Sequence, residues 1–155
     1  MPSITALVHT RNDARRLGRC LETLYACDEI LIVDHDSSDA TIRIAGEYGA
    51  RIVAGSDPHA LQVRTEWLLC LDSRESITEG LAASLYECKS GSVPMQASDT
   101  FSFFLREETA TGWTAHAVAE TRLVPAGWEH WHNHLPVNQK NSRILQGEIL
   151  RFAFP

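Results

Sequence analysis

Three polar clusters stand directly behind apolar runs in this chain: His9-Thr10-Arg11-Asn12-Asp13, Asp34-His35-Asp36-Ser37-Ser38-Asp39 and Asp72-Ser73-Arg74-Glu75. A fourth, Trp128-Glu129-His130-Trp131-His132-Asn133-His134, is the densest concentration of chemistry in the sequence. Carboxylates gathered at strand ends can hold hard cations such as Mg or Mn. On a strand, His130, His132 and His134 would share one face, and three imidazoles there would suit Zn or a similar ion. The plainer reading of that histidine run is a loop, because Pro136 limits any strand and no Cys or Asp supports a metal site. Asp34 read alone is as much a turn residue as a ligand contact. Asp39 and Ser37 suit a helix N-cap.

The elements that position these clusters are legible from periodicity. Ile4–Val8 and Ile30–Val33 read as strands buried on both faces. Between them Leu17, Cys20, Leu21 and Leu24 recur at helical spacing. Thr41–Tyr48 reads as a helix stopped by Gly49, and Arg51–Val53 as a third strand. Trp67–Leu71 is a fourth strand, followed by a helix from about Thr78 to Lys89. The alternation β-α-β-α-β implies a parallel sheet with right-handed crossovers. Ligands of such sheets bind beyond the carboxyl ends of the strands. The His9 and Asp34 clusters should therefore meet at one crevice. Further on, Phe101, Phe103 and Leu105 suggest a half-buried strand and Val118–Val124 another. Ile144–Phe152 is ambiguous. The second half thus adds strands and loops to one domain spanning residues 1–155.

Bulk properties narrow the function classes. The chain has 155 residues, a net charge of -6, 44% hydrophobic and 22% charged residues. That fits one ordinary globular domain. The acidic balance argues against nucleic acid as a partner. Cys20, Cys27, Cys70 and Cys88 show no C-x-x-C spacing and read as reduced, buried thiols. Met1–Val8 reads as a strand rather than a signal peptide, and no apolar run is long enough for a transmembrane segment. The expected location is cytoplasmic.

The stretch from Ile4 to Val53 resembles the start of family 2 glycosyltransferases. The resemblance rests on Thr10-Arg11-Asn12-Asp13, Cys27-Asp28-Glu29-Ile30, Val33-Asp34-His35-Asp36-Ser37-Ser38-Asp39-Ala40-Thr41 and Tyr48-Gly49-Ala50-Arg51-Ile52-Val53, in that order. The third piece matches every fixed position of the family's V-D-x-x-S-x-D-x-T motif. Trp67-Leu68-Leu69-Cys70-Leu71-Asp72-Ser73-Arg74-Glu75 is similar to the W-x-L-x-L-D-A-D-E of bacterial lipopolysaccharide-core members. The resemblance implies an α/β, GT-A-like (Rossmann-like), mostly parallel sheet flanked by helices. Residues 1–90 would be the nucleotide-binding half, and residues 91–155 a shortened acceptor-side half. It implies binding of a nucleotide-diphosphate sugar, with Thr10, Asn12, Asp34 and Asp36 on the nucleotide side and Asp72 at the diphosphate. It also implies an Mn or Mg ion held by Asp72 and His132, and inverting transfer to a hydroxyl acceptor. The tryptophans of the late cluster suit stacking on a sugar or base as well as core packing.

Three departures bear on that expectation. Arg74 stands where the second acid of the D-x-D motif belongs, and a fixed cation cannot ligate a metal. Arg74 could clamp the diphosphate itself, making the reaction metal-independent, the site could be dead, or Arg74 could simply be a solvated surface residue. Ala54–Glu66 is short where relatives place a further helix, leaving room for one short helix over Pro58–Arg64. The late H-E-x-L motif appears as His132-Asn133-His134-Leu135, so the carboxylate base is displaced; Glu120 and Glu129 are candidate bases, with Glu107 and Glu108 behind them. The chain also ends early, at Pro155, where relatives carry further C-terminal helices that bind lipid-linked acceptors or membranes; peripheral contact with the inner membrane face is a second expectation for location. The rival readings are an inactive GT-A homologue serving as a nucleotide-binding or partner-binding subunit, with a protein partner or homo-oligomer implied, and a zinc module on His130, His132 and His134.

Overall fold

The computed structural model describes residues 1–155. Three parallel neighbours form its first half. β1 (Ile4–Thr10) lies between β2 (Glu29–Asp34) and β4 (Trp67–Asp72), and β3 (Arg51–Ala54) extends the sheet beyond β2. Side-chain alternation explains why these strands read as unbroken apolar runs. Ile4, Ala6, Val8, Ile32, Trp67, Leu69 and Leu71 face one core, and Leu7, Leu31, Val33, Leu68 and Cys70 face another. α1 (Ala14–Leu21), α2 (Thr41–Glu47) and α3 (Glu79–Ser90) complete the helices. Leu17, Cys20 and Leu21 bury the inner face of α1, while Leu24 enters the same core from just beyond its end.

The second half continues the sheet with strands of mixed direction. The order is β3-β2-β1-β4-β8-β6-β11-β5, with β7 hydrogen-bonded to β6. Here β5 is Glu75–Ile77, β6 Phe101–Thr109, β7 Gly112–Ala115, β8 Glu120–Pro125 and β11 Arg143–Arg151. β8 is antiparallel to both β4 and β6, whereas β11 runs parallel to β6. β5 follows β4 after a two-residue turn yet pairs with β11 at the far end, so the sheet curls back on itself. Phe101, Phe103 and Leu105 are buried while Phe104 is exposed, the alternation expected of a half-covered strand. A separate hairpin, β9 (Trp131–His132) and β10 (Leu135–Pro136), packs Trp131 and Leu135 on the second core.

Several expectations need correction. Pro58–Arg64 forms turns, with Ala60 N–H donating to the Asp57 carbonyl, and no helix. The strand expected at Val118–Val124 begins at Glu120, and Val118 is exposed. The ambiguous Ile144–Phe152 segment is a nine-residue strand. It depends on Gly147, whose φ of 100° suits glycine and whose Cα would place any Cβ against the Leu81 backbone of α3. Its pairing could not be read from local pattern because the partner, β6, lies about forty residues earlier.

A buried ionic network ties the halves together. Arg122 and Glu75 are both 0% exposed and form a bidentate pair at 2.7 and 2.9 Å. Arg122 also donates to the Cys70 carbonyl and to Glu120, and Arg151 donates to Glu75. The other Glu75 function is local: its Oε1 accepts the Asp72 N–H at 2.8 Å, which fixes the end of β4. Burial alone would raise the Glu75 carboxyl, but the facing Arg122 charge and its hydrogen bonds outweigh this and hold it below its ordinary value.

Candidate functional site

An open cleft of about 420 Å³ lies beyond the carboxyl ends of β1, β2 and β4. His9, Thr10, Arg11, Asp13, His35, Asp72, Ser73, Arg74 and His134 line it. Register accounts for the gathering. His9 lies beside Asp72 across the β1–β4 pairing, and Thr10 beside Asp34 across β1–β2. His9, His35 and Asp72 each follow by two residues a side chain of the second core, Leu7, Val33 and Cys70. Strand alternation therefore carries all three onto one face at the sheet's rim. The β9–β10 hairpin covers that face and delivers His134 from its turn.

The loops behind the cleft are built from their own side chains. Asp34 is buried and accepts hydrogen bonds from Thr10 Oγ1 (2.7 Å), Ser37 Oγ (2.6 Å) and Ser37 N–H (3.0 Å). Burial works to raise its carboxyl, and these hydrogen bonds overcome it and leave the group below its usual range. Asn12 accepts the Ser38 N–H at 2.7 Å and donates its own N–H to Ser37 Oγ, joining the two loops. Asp39 receives N–H groups from Thr41 and Ala14, so one carboxylate serves the starts of both α2 and α1. Asn12, Asp36 and Asn133 all have positive φ, near 53–56°, a conformation short polar side chains tolerate. One such residue lies within three residues of each cleft histidine.

The histidines form a stack. His9 and His134 ring centroids are 3.9 Å apart, His35 and His134 4.9 Å, and His9 and His35 5.2 Å, with interplanar angles of 10–22°. His9 Nδ1 and His35 Nε2 share a hydrogen bond of 2.9 Å. Burial, reinforced by His134 and His35, pushes His9 down to about 3, so it is neutral at physiological pH. Burial and His35 lower His134 as well, with Asp72 working against them.

Asp72 and Arg74 face each other in the β4–β5 turn. Arg74 Nε donates to Asp72 Oδ1 at 2.9 Å, and the Arg74 N–H to the same oxygen at 2.9 Å. Burial would raise Asp72, but Arg74 outweighs it and holds the carboxyl below its ordinary value. The other cleft carboxylate, Asp13, already accepts the Arg11 N–H. Asp72 is thus neutralised by Arg74 and Asp13 has one oxygen engaged, so an Mg or Mn ion here would compete with Arg74 for Asp72 and draw its remaining oxygens from phosphate or water.

Of the residues expected from sequence, Thr10, Asp72 and Arg74 line the cleft. Asn12 and Asp34 build the loop behind it, and Asp36 is exposed on that loop. His132 and Glu120 lie with Asp72 around a neighbouring depression. Glu129 is exposed in the turn between Trp128 and His130 and lines neither. His130, His132 and His134 do not share a strand face, because Asn133 and His134 form the hairpin turn. The sequence brought the His9–Asp13 and Asp34–Asp39 clusters to one crevice, which the cleft bears out, but did not single out Arg11, Asp13, His9 or His35 as site residues. The two-residue offset from core positions was the available signal for His9 and His35; nothing local marked His134 as their neighbour.

A curled α/β sheet with a polar cleft beyond its parallel strand ends has the GT-A type of glycosyltransferase fold. Comparison with known proteins agrees. No family model matches the chain. An uncharacterized glycosyltransferase of Rickettsia felis is 30% identical over 91 residues, covering 52% of this chain and 32% of that protein. One from Rickettsia bellii is 30% identical over 87 residues, 50% of this chain and 30% of its own length. The chain thus spans about a third of the length of the curated relatives it matches. Among solved structures, S. aureus TarS 1-349 in complex with UDP-GlcNAc superposes with a TM-score of 0.56 at 21% identity, over 71% of this chain and 36% of that one. Mannosyl-3-phosphoglycerate synthase from Rubrobacter xylanophilus gives 0.53 at 22% identity, over 70% and 42%. The sequence relatives are described as glycosyltransferases, and the solved structures share the fold.

Proposed function

We propose that this chain acts as a family 2 glycosyltransferase of the bacterial lipopolysaccharide-core type. It would bind a nucleotide-diphosphate sugar and transfer the sugar to a hydroxyl acceptor with inversion. The observation that carries this reading is the placement of Thr10, Arg11, Asp72 and Arg74 around one cleft at the parallel strand ends. A departing diphosphate needs positive charge where its own charge develops. The Arg74 side chain is 45% exposed and paired only to Asp72, itself 34% exposed. Such a pair contributes roughly 0–1 kcal/mol, so Arg74 can turn to a phosphate at little cost and bind it through charge-assisted hydrogen bonds. Metal-independent donor binding follows.

The remaining roles divide by position. Asp34 and Asn12 hold the nucleotide-side loop in shape, and Asp36 offers an exposed carboxylate there. Glu120, beside Asp72 and His132 in the neighbouring depression, is the better placed of the two candidate bases. A structural neighbour with bound UDP-GlcNAc makes uridine nucleotides the first ligands to try.

A thermal-shift panel of nucleoside diphosphates and their sugars tests the proposal. A ligand at about 100 times its Kd adds about 2.7 kcal/mol of stability, which at about 2–4 °C per kcal/mol is a rise of roughly 5–11 °C. No rise with any member would overturn the donor site. A rise without sugar release or transfer would favour the nucleotide-binding, non-catalytic reading, which the Asn133 at the expected base position supports.

A further inference from the structure

We propose that His9, His35 and His134 form a binding site for one transition-metal ion of the zinc class. The three residues come from separate elements: the end of β1, the loop after β2 and the β9–β10 turn. One nitrogen from each lies within 4.8 Å of the others, and the His9 Nδ1 to His35 Nε2 distance is 2.9 Å. A tetrahedral ion with bonds of about 2.0–2.1 Å spaces its nitrogen ligands about 3.3 Å apart. The three nitrogens are within reach of one ion, which would bind once the stacked rings turn so that their in-plane lone pairs converge.

The surroundings support a built site. His35 seats its Nδ1 edge against Gly55, where any Cβ would collide with the ring, and this leaves Nε2 directed at His9. His9 stands in register beside Asp72 on the next strand. The cluster opens on the cleft, so a fourth ligand position faces Asp72 and incoming solutes, as in zinc sites that keep an exchangeable ligand. An all-imidazole set favours Zn, Co, Ni or Cu over Mg and Mn, which prefer oxygen. This donor set is distinct from the Asp72 and His132 pair expected from sequence, and from the His130, His132 and His134 face. The site stands whether or not the cleft binds a nucleotide.

The test uses the full chain, with any affinity tag removed, stripped with chelator and dialysed against Zn in the presence of excess Mg. Elemental analysis gives stoichiometry, and the visible absorption of Co-loaded protein reports nitrogen ligation in a tetrahedral site. The expected result is one Zn per chain, not displaced by Mg or Mn. Loss of second-shell support alone costs about 10–100-fold in metal affinity, so His134→Ala, His9→Ala and His35→Ala should each lower affinity at least that much. His130→Ala and His132→Ala should leave it unchanged. His134 is exposed in a turn, so that variant keeps its fold, which circular dichroism checks. Substoichiometric Zn in the wild-type chain, retention of wild-type affinity by folded His134→Ala, or loss of binding in the His132→Ala control would each overturn the site. Nucleotide binding is read separately by calorimetry in chelator, so failure of one proposal leaves the other standing.

Discussion

Replacing Glu75 by Gln removes one charge from the centre of the buried network while preserving volume. Gln can still accept the Asp72 N–H through its carbonyl oxygen. Its amide nitrogen, however, takes the place of Oε2, which accepts from Arg122 Nη2 at 2.9 Å and from Arg151 Nη2 and Nε at 3.0 and 3.1 Å. Three charge-assisted hydrogen bonds become donor–donor contacts. Each is worth about 1.5–3 kcal/mol, but the losses do not simply add. Arg122 keeps Glu120 and the Cys70 carbonyl, and Arg151 is 18% exposed and regains water. The net cost should match a buried pair broken from one side, about 3–5 kcal/mol. For a chain of 155 residues that is a fall in Tm of roughly 6–20 °C. Urea denaturation of E75Q, R122M and the double variant measures it. The double variant should cost less than the sum of the singles by about 0.5–3 kcal/mol, the range for groups in direct contact. A cost for E75Q below about 1 kcal/mol, or strict additivity, would refute the view that Glu75 anchors the network.

Gly147→Ala should destabilise by about 2 kcal/mol or more, since it combines a left-handed backbone with a collision against the α3 backbone; chemical denaturation checks it, and a neutral result would mean the β11–α3 approach is not tight. His9 has a depressed folded-state value of about 3, so in the metal-free protein the unfolded chain takes up a proton below about pH 6.5 that the folded chain refuses. Stability should fall as pH drops from 6.5 toward 3, with a His9 contribution of at most about 1.4 kcal/mol per pH unit; in chelator, His9→Asn should flatten the slope between pH 6.5 and 5, and an unchanged slope would count against a buried neutral His9. Asp34→Asn sets an amide donor against either the Ser37 N–H or the Thr10 and Ser37 hydroxyls, all of which donate to the carboxylate, and should cost about 1–3 kcal/mol while weakening nucleotide binding by loosening the 34–39 loop.

The first half was legible because its signals are local. Apolar runs gave β1, β2 and β4, and the polar residues after them mark the cleft because chain direction sets where parallel strands end. The other half depends on distant partners. β11 finds β6 only in three dimensions, and β5 leaves β4 to close the sheet against β11. Glu75 illustrates the limit most clearly. In sequence it is one more polar residue behind Asp72, and only the arrival of Arg122 and Arg151 makes it a buried anchor. The His9–His35–His134 stack was half legible, since strand parity places two of its members. The third arrives on a hairpin whose turn at Asn133 interrupts the alternation that would have put His134 on a face with His132.

The measurement that bears most directly on the central claim is calorimetric titration with UDP and UMP, in chelator, of the wild-type chain and Arg74→Ala. Donor binding by an arginine clamp predicts metal-free binding of UDP, at least about 10-fold tighter than UMP because a charge-assisted contact to the second phosphate is worth about 1.5–3 kcal/mol. Arg74→Ala should erase that preference while leaving UMP affinity unchanged. Equal affinity for both nucleotides, or a UDP preference that survives Arg74→Ala, would contradict it.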